Sequence, residues 1–151
     1  MEGRVKGVPF LFCNSARFPV CAGRAAAIRR ILSRDAVMKL AEIRHVLQCE
    51  VLTGDAGLSI DVETVVASDG MSEILAFARP GALMITGLTN IQSVRTADIA
   101  NVCAIVYIRG KRPNEKAIHV ARKSNIPVLA TGLGMFDVCG MLRELGLKGG
   151  M

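Results

Sequence analysis

Three apolar runs, each closed by a glycine-containing turn and each followed by a stretch of helical period, constrain this chain more than any other feature. They are "ALMITG" (82–87), "CAIVYIRG" (103–110) and "IPVLATG" (126–132). A strand that is apolar at every position has no face it can show to water. Alternation of such strands with helices of about ten residues predicts an α/β fold: a mainly parallel sheet with helices on both faces, in a single layered domain. Its crossovers are expected to be right-handed.

The flanking segments fit the same plan. Leu40, Ile43, Val46 and Leu47 recur at helical spacing, so 38–47 reads as a helix. "CEVLT" (49–53) reads as a short strand and "GDAGLS" as a turn cluster. In "IDVETVVAS" (60–68) Ile60, Val62, Thr64 and Val66 alternate with their neighbours, which predicts a strand. Ser68 or Asp69 is expected to cap a helix over 71–79 that Pro80-Gly81 ends. Further helices are expected over about 91–101, from Pro113-Asn114 to about Ser124 with Pro113 in the first turn, and through Met135, Phe136, Val138, Cys139 and Leu142 to about Leu145. Aromatic residues are only 4% of the chain, so the core must be aliphatic.

Residues 1–37 stand apart. They show no sustained period and carry Arg4, Lys6, Arg17, Arg24, Arg29, Arg30 and Arg34 against Glu2 and Asp35. This basic extension superficially resembles an organellar transit segment, although "VPFLF" is too short for a secretory core. Met38 opens "MKLAEIRHVLQ" like a natural start, so 1–37 is expected to be either a leader translated from a misassigned start or a genuine basic arm. The domain proper is expected to be 38–151.

In a parallel sheet the loops after the strands gather at the carboxyl edge, where open α/β sheets bind ligands. Here that edge collects "TGLTN" (86–90), "RGKRP" (109–113) and "TGLGMF" (131–136). Gly87 and Gly110 allow unusual backbone or close approach. Thr86, Thr89, Asn90 and Thr131 offer hydrogen bonds, and Arg109 and Lys111 offer charge. These eight residues are the candidate ligand-binding set, suited to a small anion. Glycine, threonine and charge in such turns also arise from turn geometry and solubility alone.

Other function classes lack support in the sequence. The net charge is +6, but most of the excess lies in 1–37, so the domain has no bulk charge with which to track nucleic acid. No apolar run reaches the ~18 residues of a membrane span. There is no GxxxxGK[ST] loop for nucleotide phosphates. His45 and His119 read as surface residues, no Cys/His spacing suggests a metal, and no cofactor motif is present. The cysteines Cys13, Cys21, Cys49, Cys103 and Cys139 have no CxxC spacing and read as reduced, packed thiols.

From Met38 onward the chain resembles a small stand-alone DRTGG domain protein. The resemblance rests on "EVLTGDAGL", "SDGMSEILAFARPGALMITGLTN", "AIVYIRGKRPNEKAIHVARKSNIPVLAT" and "MFDVCGMLRELGLKG". It implies an α/β regulatory module that tends to dimerise. Such modules occur in phosphotransacetylases and CBS-domain pyrophosphatases, are similar to the non-catalytic part of HPr kinase, and stand beside hydrogenase-type electron-transfer genes. The Asp-Arg pair of the family's name falls on "TGLTN", where Leu88 and Thr89 stand instead. Its Thr-Gly-Gly falls on Ile108, Arg109 and Gly110.

Three expectations of different class follow. The leading one is a non-catalytic, cytoplasmic regulatory or sensor domain. It would be homodimeric and bind a small anionic ligand, such as a nucleotide or phosphorylated metabolite, or a protein partner in redox or hydrogenase metabolism. The second is an HPr-kinase-like serine kinase or enzyme fragment, which would have to hold nucleotide phosphates. The third is a purely structural dimerisation module. The apolar helix faces around Ile74, Leu75 and Phe77, and around Met135, Val138 and Leu142, are the expected dimer surfaces.

Overall fold

The computed structural model describes residues 36–150. The expected leader lies, but for its last two residues, outside the described residues. The first elements are β1 (Met38–Lys39), α1 (Leu40–Val46), β2 (Glu50–Thr53), a 3₁₀ turn (Asp55–Ser59), β3 (Asp61–Val62), β4 (Thr64–Ala67) and α2 (Met71–Phe77). There follow β5 (Leu83–Thr86), α3 (Ile91–Ile99), β6 (Ala104–Tyr107), α4 (Glu115–Lys123), β7 (Val128–Ala130), α5 (Met135–Glu144) and β8 (Lys148–Gly149).

The main sheet has six strands in the order β2-β7-β6-β5-β4-β8. All neighbours are parallel except β2, which runs antiparallel to β7 along one edge. The strands β4, β5, β6 and β7 step across the sheet in chain order. Right-handed crossovers therefore place their helices α2, α3 and α4 on one face. The return from β7 to β8 crosses the sheet in the opposite sense, which sends α5 to the other face.

The core divides accordingly. Leu83, Ile85, Ala104, Val106, Ile108 and Leu129 point to the face shared with Leu40 and Ile43 of α1 and Val138 and Leu142 of α5. Met84, Ile105, Tyr107, Val128 and Ala130 point to the face shared with Ile74, Val94, Ala97, Ala117 and Ala121. Successive residues of one strand serve opposite cores, which is why these strands are apolar throughout.

Several local expectations are corrected. The expected strand 60–68 breaks at Glu63. Its first half pairs with β1 in a separate two-stranded sheet, and Val62 and Val66 fall in opposite cores. The helix expected from Met38 starts at Leu40 because Met38 and Lys39 pair with β3. The α2 N-cap is Gly70, with no side-chain cap bond. Ser68 Oγ instead accepts from Gly70 N–H and donates to Glu73, and Asp69 turns to the sheet. Pro113 lies before the α4 N-cap, Asn114, whose side chain accepts from Ala117 N–H. Asn90 caps α3 in the same way.

Half of the expected dimer surface belongs to the domain's own core. Ile74, Val138 and Leu142 are buried, whereas Leu75 is 48% and Phe77 64% exposed. Cys49, Cys103 and Cys139 are free thiols. Burial pushes the Cys49 and Cys103 thiols up to about 11.

Candidate functional site

The carboxyl edge is built from the loops that end β4, β5, β6 and β7. After β6 the chain makes a tight turn, with Lys111 N–H donating to Ile108 C=O at 3.2 Å. Both central residues are left-handed, Arg109 at φ 61° and Gly110 at φ 65°. A Cβ on Gly110 would meet nothing within 4 Å, so this glycine serves the backbone angle and not a close approach. Arg109 holds the same angle with a side chain, a strained state of the order of 1 kcal/mol or more.

The strained turn is tied to the neighbouring loop. Arg109 N–H donates to Leu133 C=O and Gly110 N–H to Thr131 C=O, both at 2.8 Å. The helices after β6 and β7 leave on opposite faces, and at such a reversal a sheet opens a crevice. Here backbone pairing bridges it.

The close approach is at Gly87. Its N–H donates to Asp69 Oδ1 at 2.6 Å, its C=O accepts from Lys111 Nζ at 2.9 Å, and the Arg109 guanidinium lies where a Cβ would stand. Asp69 is the hub. Its Oδ1 also accepts from the Thr86 hydroxyl at 2.9 Å, and its Oδ2 stands 3.5 Å from Arg109 Nη2. Three charged side chains, one acid and two bases, thus enclose the Gly87 backbone.

The hydrogen bond from Gly87 holds the Asp69 carboxyl below the ordinary carboxylate range. Partial burial opposes this, while the Thr86 bond and the charges of Arg109 and Lys111 assist it. A depressed folded pKa stabilises the fold above the unfolded value of ~3.9 and ceases to do so as pH falls through the folded one. The stability gap between wild type and Asp69→Asn is therefore expected to be widest near neutral pH and to close below about pH 4. Urea melts between pH 7 and pH 3 measure it; a gap independent of pH would mean that Asp69 is not ionised in this role.

The expected site residues divide by how they are used. Thr86, Gly87, Arg109 and Lys111 meet around Asp69. Thr131 is buried and turns away: its hydroxyl donates to Leu47 C=O at 2.7 Å and accepts from Leu133 N–H. Asn90 is spent on the α3 cap, and Thr89 is half-buried on the same loop. Arg112 pairs with Glu50 of the antiparallel edge strand. Asp69, expected only as a helix cap, is instead the acceptor shared by Thr86 and Gly87. The strand-to-helix position of Asp69, next to β5 in a parallel sheet, is the signal that could have found it.

Fold and rim together define an open α/β domain whose polar groups converge on one set of carboxyl-edge loops. Among the described residues no group of His, Cys, Asp or Glu is placed to hold a metal, and no helix is long and apolar enough to cross a membrane.

The chain belongs to the DRTGG domain family, whose model matches residues 42–145. The Asp-Arg dipeptide of the family name is absent from "TGLTN", yet Asp69 and Arg109 supply an acid and a base to that loop from either side. Among solved structures the chain is similar to the CBS and DRTGG domains of the regulatory region of Clostridium perfringens pyrophosphatase, in complex with the activator diadenosine tetraphosphate. Identity is 20% and the TM-score 0.60, over 71% of this chain and 46% of that one. The chain thus spans about half the length of that neighbour. No curated protein matches.

Proposed function

We propose that this protein is a non-catalytic regulatory domain that senses a small phosphate-bearing anion at the carboxyl edge. The observation that carries the reading is the left-handed Arg109-Gly110 turn, which holds two cations beside Gly87, one through an exposed contact and one through a part-buried hydrogen bond. The Arg109–Asp69 contact is long and about half exposed on each side, so breaking it costs less than ~1 kcal/mol. A phosphate offers Arg109 a bidentate partner in its place. Lys111 can follow, since its bond to Gly87 C=O is single. Exchange leaves Asp69 on Gly87 and Thr86, so the rim stays folded while its outer charges change partners.

Family membership supports the regulatory part, and the pyrophosphatase neighbour shows the same fold inside a regulatory region. A partner in redox or hydrogenase metabolism, and a cytoplasmic setting with reduced thiols, belong to the same proposal. The test is thermal unfolding with inorganic tripolyphosphate. Saturation at 100-fold the dissociation constant should add ~2.7 kcal/mol. Arg109→Ala should remove this gain and leave the unliganded stability within about 1 kcal/mol of wild type. A gain that survives in Arg109→Ala would place the anion elsewhere.

Self-association is the second element. Leu75 and Phe77 of α2 and Ile99 of α3, the last 72% exposed, lie on one helical layer. A symmetric pair of such surfaces would remove them from water. Light scattering should give a dimer mass for the wild type and a monomer mass for Phe77→Glu. A wild-type monomer at high micromolar concentration would end the idea.

A further inference from the structure

We propose that the rim selects ligands carrying a planar base as well as a phosphate, with Phe136 as the surface on which the base stacks. This rests on the anion-exchange reading above and names its ligand class. Phe136 is 90% exposed, the highest value among the exposed large apolar side chains of the described residues. It stands in the first turn of α5, directly after the loop whose Leu133 and Thr131 carbonyls accept from Arg109 and Gly110. The loop that leads into the ring's helix is therefore tied to the basic turn by two backbone hydrogen bonds.

A Cβ on Gly110 or on Gly132 would meet no atom within 4 Å, so nothing stands over either backbone. The start of α5 is itself closed to phosphate, because the Asp137 carboxylate lies 3.4 Å from where a Cβ on Gly134 would stand. A nucleotide then has one orientation: phosphate toward Arg109 and Lys111, base toward the ring. Stacking on a phenyl face is tolerant of base identity, since every base has a π-face. The expected preference is thus for nucleotides over bare polyphosphates, with weak discrimination among bases.

Titration calorimetry with adenosine triphosphate and inorganic tripolyphosphate tests this. The nucleotide should bind on the order of 10-fold tighter or more. Phe136→Ala should bring it down to the level of tripolyphosphate, whose own affinity stays unchanged, and Phe136→Tyr should keep the preference. The chain has no tryptophan, so Phe136→Trp adds a single reporter. Its emission should be quenched by the nucleotide and not by tripolyphosphate. Equal binding of both ligands with no effect of Phe136→Ala overturns the stacking inference and leaves the anion reading standing. Absence of binding by either ligand overturns both.

Discussion

Asp69→Ala is expected to lower the melting point by roughly 10 °C, far more than loss of any other exposed charge in the domain. The carboxylate is half exposed, but two of the donors it satisfies are not. Thr86 is fully buried and Gly87 is buried. Removing the carboxylate leaves the Thr86 O–H and the Gly87 N–H without an acceptor, although the Thr86 oxygen still accepts from Leu88 N–H; the cost is about 1–3 kcal/mol for each donor that stays unsatisfied. A net loss of about 2–3 kcal/mol corresponds to that shift for a domain of this size. Arg109→Ala removes only the exposed side of the same carboxylate and should cost less than ~1 kcal/mol. The contrast separates a brace from an exchangeable contact within one constellation. A melting point for Asp69→Ala within a degree or two of wild type would show that water replaces the carboxylate and that the rim does not depend on it.

The second large effect is expected at Ile74. Helix α2 has seven residues, and Ile74 is its one fully buried side chain. At its two ends it is held by the Ser68–Glu73 hydrogen bond and by Arg79 N–H donating to Gly150 C=O. Ile74→Ala should therefore cost about 2–5 kcal/mol, the usual range for truncating a core isoleucine. The loss should be local before it is global. Amide exchange in 71–77 should accelerate more than exchange in β5 or β6, because the central strands keep both of their covers. Uniform acceleration across the domain would show that α2 is an integral part of the core and not a lightly held helix.

The three strand–helix units were legible because their signal is local. "ALMI", "CAIVYI" and "IPVLA" are apolar at every position, and only a sheet covered on both faces leaves no such position in water. The same logic placed the candidate loops at one edge before any contact was known. Asn114 is legible as a helix start from residue type, since its side chain accepts from the N–H three residues on; Asn90, expected to bind ligand, caps α3 in the same way.

What failed to show in the sequence depends on groups far apart along it. Asp69 looked like a helix cap because an acid before a helix is ordinary. Its actual partners, Thr86, Gly87 and Arg109, lie on neighbouring strands' loops, and pairing across a sheet carries no sequence period. The split of 60–68 followed from β1 pairing with β3, again a choice between competing partners. Arg109's positive φ was hidden because only glycine advertises that conformation; here bonds to Leu133 and Thr131 impose it. Local pattern determined which segments are strands and helices, because burial on one or two faces is written in successive residues. Tertiary structure alone decided which charge meets which, because a carboxylate chooses among donors by distance and desolvation, and those are settled only when the sheet has closed.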